Sequence, residues 1–167
     1  MEAERIFDAV RDIILGATGI SECLKTEPNA PSPSGEYCTV SISSNVTQRG
    51  QAIIRSDLNA PGSLAIEVLP QAITEVSINF YRGDAGDRAQ RLLQANKLPS
   101  VSEKLFKAGL GWQRAGPVNK ITGLQAASFE SRAQVSIFLM HEVKFLDSTP
   151  ESVNTIEQAP LQVWGLL

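Results

Sequence analysis

The chain has 167 residues, 43% hydrophobic and 20% charged, with a formal net charge of −3 and two cysteines. That is enough chain for one domain with a sizeable core plus an appendage, in an ordinary globular composition. The acidic balance argues against a binder that works by neutralising phosphates, no apolar run approaches the ~20 residues that span a bilayer, and two cysteines cannot make a disulfide framework.

Glu2–Leu15 is expected to be a helix, because Ile6, Phe7, Val10, Ile13 and Ile14 recur at helical spacing. Its acidic first turn suits the helix dipole and does not suit a signal peptide, so synthesis in the cytoplasm is expected, and Gly16 and Gly19 are expected to end it. Pro28, Pro31 and Pro33 mark residues 25–36 as a Pro-rich loop. Cys23 and Cys38 flank it; both are expected as free thiols, although a bridge across the loop is geometrically conceivable. Glu36–Val46 alternates as a strand, with Cys38, Val40 and Ile42 on one face. Asn59-Ala60-Pro61-Gly62 reads as a turn, and Leu64–Leu69 as a short strand stopped by Pro70.

Ala72–Tyr81 alternates with Val76, Ile78 and Phe80 on one face. Asp84 is the expected cap of a helix whose stripe is Ala85, Ala89, Leu92 and Leu93. Ser100 with Glu103 suggests a capping box for a second helix that buries Val101, Leu105 and Phe106 and stops at Gly109. Gly111–Leu124 is expected to be irregular or shortly extended. A long strand then runs over Arg132–Leu146, with Ala133, Val135, Ile137, Leu139, Val143 and Phe145 on one face. The division expected is a single domain over 1–146 and a C-terminal arm over 147–167, in which Val153–Gln158 is the one candidate strand.

No side-chain constellation for chemistry accompanies this frame. His141, the only histidine, lies in phase with Leu139 and Val143, as a hydrogen-bonded core histidine does. No closely spaced Cys or His pair suggests a metal, and Gly109-Leu110-Gly111 follows a helix, whereas a phosphate-cradling loop precedes one. Asp84 and Asp87 are explained by capping, and Arg88 and Arg91 by a solvated helix face or by pairing with a neighbouring subunit. Catalytic residues, cofactor and metal are therefore all expected to be absent, and membrane association with them. The candidate interface residues are Arg88, Arg91, Trp112, Glu130, Arg132, Trp164, Leu166 and Leu167, the last three in an apolar C-terminus of the kind that docks on another subunit.

Four stretches carry a family resemblance: Glu75-Val76-Ser77-Ile78-Asn79-Phe80-Tyr81, Ala89-Gln90-Arg91-Leu92-Leu93, Gly109-Leu110-Gly111 leading to Gly116-Pro117-Val118, and Phe129-Glu130-Ser131-Arg132-Ala133-Gln134-Val135. With Pro31-Ser32-Pro33 and Glu36-Tyr37 upstream, their order and spacing over residues 30–146 resemble the phage neck-terminator family, small head-to-tail joining proteins of tailed phages. The resemblance implies an α+β fold, a mainly antiparallel sheet with helices packed on one face. It also implies a structural virion protein without enzymatic activity, assembled in the host cytoplasm and placed at the neck/tail junction. Such a protein forms a ring with itself, usually a hexamer, caps the tail tube, and docks on the head connector and in some phages on the sheath protein. DNA passes through its lumen without sequence-specific contact. The competing readings are another head-tail joining or tail-completion protein, set apart by position and copy number, and a small α+β ligand-binding domain, which needs a concave pocket with convergent polar groups.

Overall fold

The computed structural model describes residues 2–26, 31–60, 63–121, 123–125 and 128–151. Helix α1 (Glu2–Thr18) and the short strand β1 (Cys23–Lys25) lead into β2 (Tyr37–Gln48), β3 (Ile53–Ala60), β4 (Ser63–Leu69) and β5 (Gln71–Tyr81). Helices α2 (Ala85–Ala95) and α3 (Pro99–Lys107) follow, then β6 (Leu110–Ala115), β7 (Asn119–Lys120), β8 (Gly123–Gln125), β9 (Ser128–Glu130), β10 (Arg132–Glu142) and β11 (Phe145–Glu151).

The main sheet runs β1-β2-β5-β10-β6, with β7 also on β10; only the β1–β2 pair is parallel. The two long alternating strands of the sequence are neighbours at its centre, in unbroken antiparallel register from Arg132↔Tyr81 to Glu142↔Gln71. Cys38, Val40, Val76, Ile78, Phe80, Ala133, Val135, Ile137 and Leu139 all point to one face. There they bury against Ile6, Val10, Ile13 and Ile14 of α1, Ala85, Ala89 and Leu92 of α2, and Val101 and Leu105 of α3. The architecture is thus α+β, a mostly antiparallel sheet with its helices on one side. At ~25 cal/mol per Å² of apolar surface, each fully buried Ile, Leu or Phe contributes about 1.5–3 kcal/mol, so this single interface dominates the stability.

The main sheet does not end where β2, β5 and β10 end. A second, three-stranded sheet has the order β11-β4-β3, the same order as β10-β5-β2. Gln71 pairs with Glu142 and, two residues before it, Leu69 begins the pairing with Ile53; Val68 pairs with Phe145. The three strands therefore cross together from one sheet into the other, at Arg49–Ala52, at Pro70 and at Val143–Lys144. The crossing is held by Arg49 N–H to Gln71 O (2.8 Å) and Val143 N–H to Pro70 O (3.0 Å). Pro70, with no N–H to donate, sits at the hinge of the bend, where a ladder bond is missing anyway.

This geometry corrects four expectations. The strand over Arg132–Leu146 is two strands, and Phe145 lies outside the core face at 59% exposure because the chain bends before it. Helix α1 runs through Gly16 to Thr18. A helical glycine costs only about 1 kcal/mol, the Thr18 hydroxyl donates to Ile14 O (2.8 Å), and the stop comes from Gly19, at φ +68°. Helix α3 starts at Pro99 with Leu98 as its N-cap, so Ser100 lies inside the first turn and forms no capping box; Asp84 does hold the N-cap position of α2 as expected, without a side-chain cap bond. Phe106, one residue past Leu105, lies roughly 100° round the helix from the buried stripe and is 83% exposed. The strand β3 and the short strands β6–β9 were not expected as such. Val153–Gln158 lies outside the described residues.

Candidate assembly surface

Three surfaces stand apart from the core. The first is the helix-free face of the main sheet. Register sets its rows: Tyr37, Tyr81 and Arg132; Thr39, Asn79 and Gln134; Ser41, Ser77 and Ser136; then Glu75, Phe138 and Arg114. The first row is stacked. Tyr37 and Tyr81 lie parallel at 4.5 Å, with the Arg132 guanidinium 5.0 Å from the Tyr81 ring and that of Arg82 5.6 Å from the Tyr37 ring. Arg132 donates to Asn79 Oδ1 (3.0 Å), Gln134 to Ser77 (3.0 Å), and Arg114 sits 3.6 Å over the Phe138 ring. Arg82 pairs with Glu130 (2.8 Å) and donates to the carbonyls of Pro33 and Gly35, which fixes residues 33–35 to this end of the sheet.

The second surface is the bent extension. Ile54, Val68 and Phe145 stand side by side across β3, β4 and β11, and Ile54 and Phe145 are 69% and 59% exposed. The outer strands β3 and β11 have no neighbour on their far sides among the described residues. An apolar row on a sheet with open edges is a feature that monomers avoid and assemblies use. The third surface is the outer side of α3, where Phe106 and Leu98 are exposed. Beside it a groove of about 630 Å³ runs between α1 and α3, lined by Glu4, Asp8 and Asp12 on one side and Lys104 and Lys107 on the other.

The residues singled out in the sequence fall at scattered places. Arg88 turns inward, pairing with Glu36 and donating to Thr18 O (3.1 Å), and so ties α2 to the C-terminus of α1. Arg91 is exposed on α2. Trp112 is half-buried against the core, its Nε1–H buried without a partner. Glu130 and Arg132 belong to the stacked end of the sheet face, bound to Arg82 and to Tyr81 and Asn79. Trp164, Leu166 and Leu167 lie outside the described residues. His141 is 4% exposed and bonds through Nε2 to the Thr74 hydroxyl (2.8 Å), a partner that only the β5–β10 register reveals. Sequence reasoning missed the Tyr37–Tyr81 stack and the Ile54–Val68–Phe145 row. Both need cross-strand register, which a single strand's alternation does not encode.

Among the described residues no group of three His, Cys, Asp or Glu side chains is placed to hold a metal, and no helix is long and apolar enough to cross a membrane. Among the described residues the titrating groups that are shifted are the two thiols. Cys38 donates to Cys23, which holds the Cys23 thiol below its ordinary value against the opposing effect of burial, with Arg11 adding a smaller pull in the same direction. The same hydrogen bond, then burial, pushes Cys38 up.

No curated protein matches the chain. Among solved structures, a chain of the virion of a native gene transfer agent (GTA) particle aligns with 84% of this chain and 92% of its own, at 13% identity and a TM-score of 0.40, a likeness too loose to bear on fold or function. A family model described as phage neck terminator protein matches residues 4–164, from the first turn of α1 to Trp164. With nearly the whole sequence inside that match, and with the α+β frame that the resemblance implied, the chain belongs to the phage neck terminator protein family.

Proposed function

We propose that this neck terminator closes into a ring with copies of itself, usually six, that caps the tail tube and presents a docking surface to the head connector. A neck terminator is a structural part of the virion, and the work of such a part is done by surfaces. The observation that carries the reading is that exposed apolar groups gather at two separate places, Ile54 with Phe145 on the bent sheet extension and Phe106 with Leu98 at α3, with Ile53 also exposed on β3 and Ile121 standing singly after β7. A closed ring needs two unlike patches on each copy, one for each neighbour, whereas a twofold dimer needs one.

The edges matter in the same way. The long strands β5 and β10 pair with each other and are flanked on both sides, so neither offers an edge to a neighbour. Among the described residues the edge strands are β1 and β6 in the main sheet and β3 and β11 in the extension; of these, β11 leads directly to residues 152–167, which bring Trp164, Leu166 and Leu167. The extension and the C-terminal arm are therefore the natural contacts with the next copy. Arg91 and Trp112 remain candidates for contact with the tube or connector. In this reading the role is non-catalytic and takes no cofactor, and the chain assembles in the host cytoplasm. Six copies at −3 each carry a formal −18, and acidic groups around a lumen let DNA slide through without adhering. Native mass measurement of the protein released from purified tails tests the ring: a hexamer is expected, and a monomer or dimer under conditions that keep the tail tube intact contradicts it.

A further inference from the structure

Cys23 and Cys38 are directly opposite each other in the β1–β2 ladder, and both side chains are buried. Adjacent strands lie about 4.8 Å apart, within the Cα separation that a disulfide spans. Both are free thiols, and each is the main influence on the other's titration, Cys23 held down and Cys38 pushed up. We infer that Cys23 and Cys38 form a redox site, a pair of thiols that a peroxide converts into a disulfide fastening β1 to β2.

The step balances. The Cys23 thiolate attacks one oxygen of hydrogen peroxide, giving a sulfenic acid and releasing the other oxygen as water after protonation. The Cys38 sulfur then attacks the sulfenic sulfur, the S–S bond forms, the hydroxyl leaves as a second water, and two thiols and one peroxide have become one disulfide and two waters. Cys23 is the attacking group because its thiolate is the one stabilised by the hydrogen bond and by Arg11. Peroxide reaches it by local opening of β1, an edge strand of three residues whose last residue, Lys25, is exposed. Cys38, on the inner strand, stands ready as the resolving thiol.

The bridge closes the loop that contains Pro28, Pro31 and Pro33 and fixes the segment leaving α1 to the sheet. In a cytoplasm the pair stays reduced. On the virion reading above, release from the host exposes it to an oxidising medium, so the staple forms after assembly, when stiffness no longer hinders folding.

The test treats the purified, reduced full-length chain with hydrogen peroxide, then alkylates under denaturing conditions and maps tryptic peptides without reduction. The expected result is peptide 12–25 joined to peptide 26–49, a mass loss of two hydrogens in the monomer, and reversal by a thiol reductant. In Cys23→Ser the joined peptide is absent and Cys38 remains alkylatable. Two thiols that stay alkylatable, sulfinic acids in place of a bridge, or disulfides only between chains each overturn the inference. The chemistry is read on the isolated chain, so its failure is separate from any failure of the ring. A bridge in isolated chain that is absent from protein extracted from virions overturns the post-release timing alone.

Discussion

Between β5 and α2 two consecutive residues, Arg82 and Gly83, adopt φ values of 65° and 47°. For arginine this conformation costs about 1–3 kcal/mol, and it is held by the Glu130 carboxylate and the carbonyls of Pro33 and Gly35. At Gly83 an added Cβ falls 1.7 Å from Glu36 Oε1, so an alanine there meets both an unfavourable backbone and the carboxylate that pairs with Arg88. Gly83→Ala is expected to cost about 2 kcal/mol and lower the melting temperature by about 4–8 °C; a melt unchanged within one degree contradicts this. Thr74→Val removes the hydroxyl bonded to Nε2 of buried His141, and a loss of about 1–3 kcal/mol in urea denaturation is expected. The sequence placed His141 on the core face correctly but held no sign of Thr74, 67 positions away, because the pairing belongs to the register of two strands.

Elements were legible where one rule governed them. Alternation located β5 and the core half of β10, and helical spacing located the buried stripes of α1 and α2. Alternation is silent about bends, however, so Val143 and Phe145 continue the pattern of β10 in sequence while the chain leaves the sheet. Pro70 was readable as a stop and is in fact the hinge between two sheets. Strand β3, Ile53-Ile54-Arg55-Ser56-Asp57-Leu58-Asn59-Ala60, lacks a clean two-residue period and is recognised by its pairing with β4. The two halves of the bent ribbon predict opposite behaviour. Phe80→Ala, at full burial in the main sheet, is expected to cost about 3–5 kcal/mol of stability. Ile54→Ser combined with Phe145→Ser, in the exposed row, is expected to leave the monomer within about 1 kcal/mol of wild type. The same double variant is expected to weaken self-association in sedimentation at least tenfold; unchanged association contradicts the role of the extension.

At the scale of the whole molecule the fold and the family were readable because both rest on the order of several segments over residues 30–146; the family match extends beyond them, to residues 4–164. The assembly surface was less readable. A side chain meant for a neighbour has the same sequence signature as one that pairs within its own chain, and Arg88 shows this, engaged with Glu36 and Thr18 where a subunit contact was also conceivable. Removing residues 152–167, the part of the expected arm that lies beyond β11, spares every strand among the described residues, so the truncated chain is expected to fold, with a melt close to wild type, while ring formation declines; loss of folding contradicts this. The central claim, a ring of this chain at the neck, is tested most directly by averaged electron images of the virion with the protein marked by a bound antibody fragment. The account predicts one ring of about six copies between the head connector and the tail tube. One or two copies per particle, or copies distributed along the tail, contradict it.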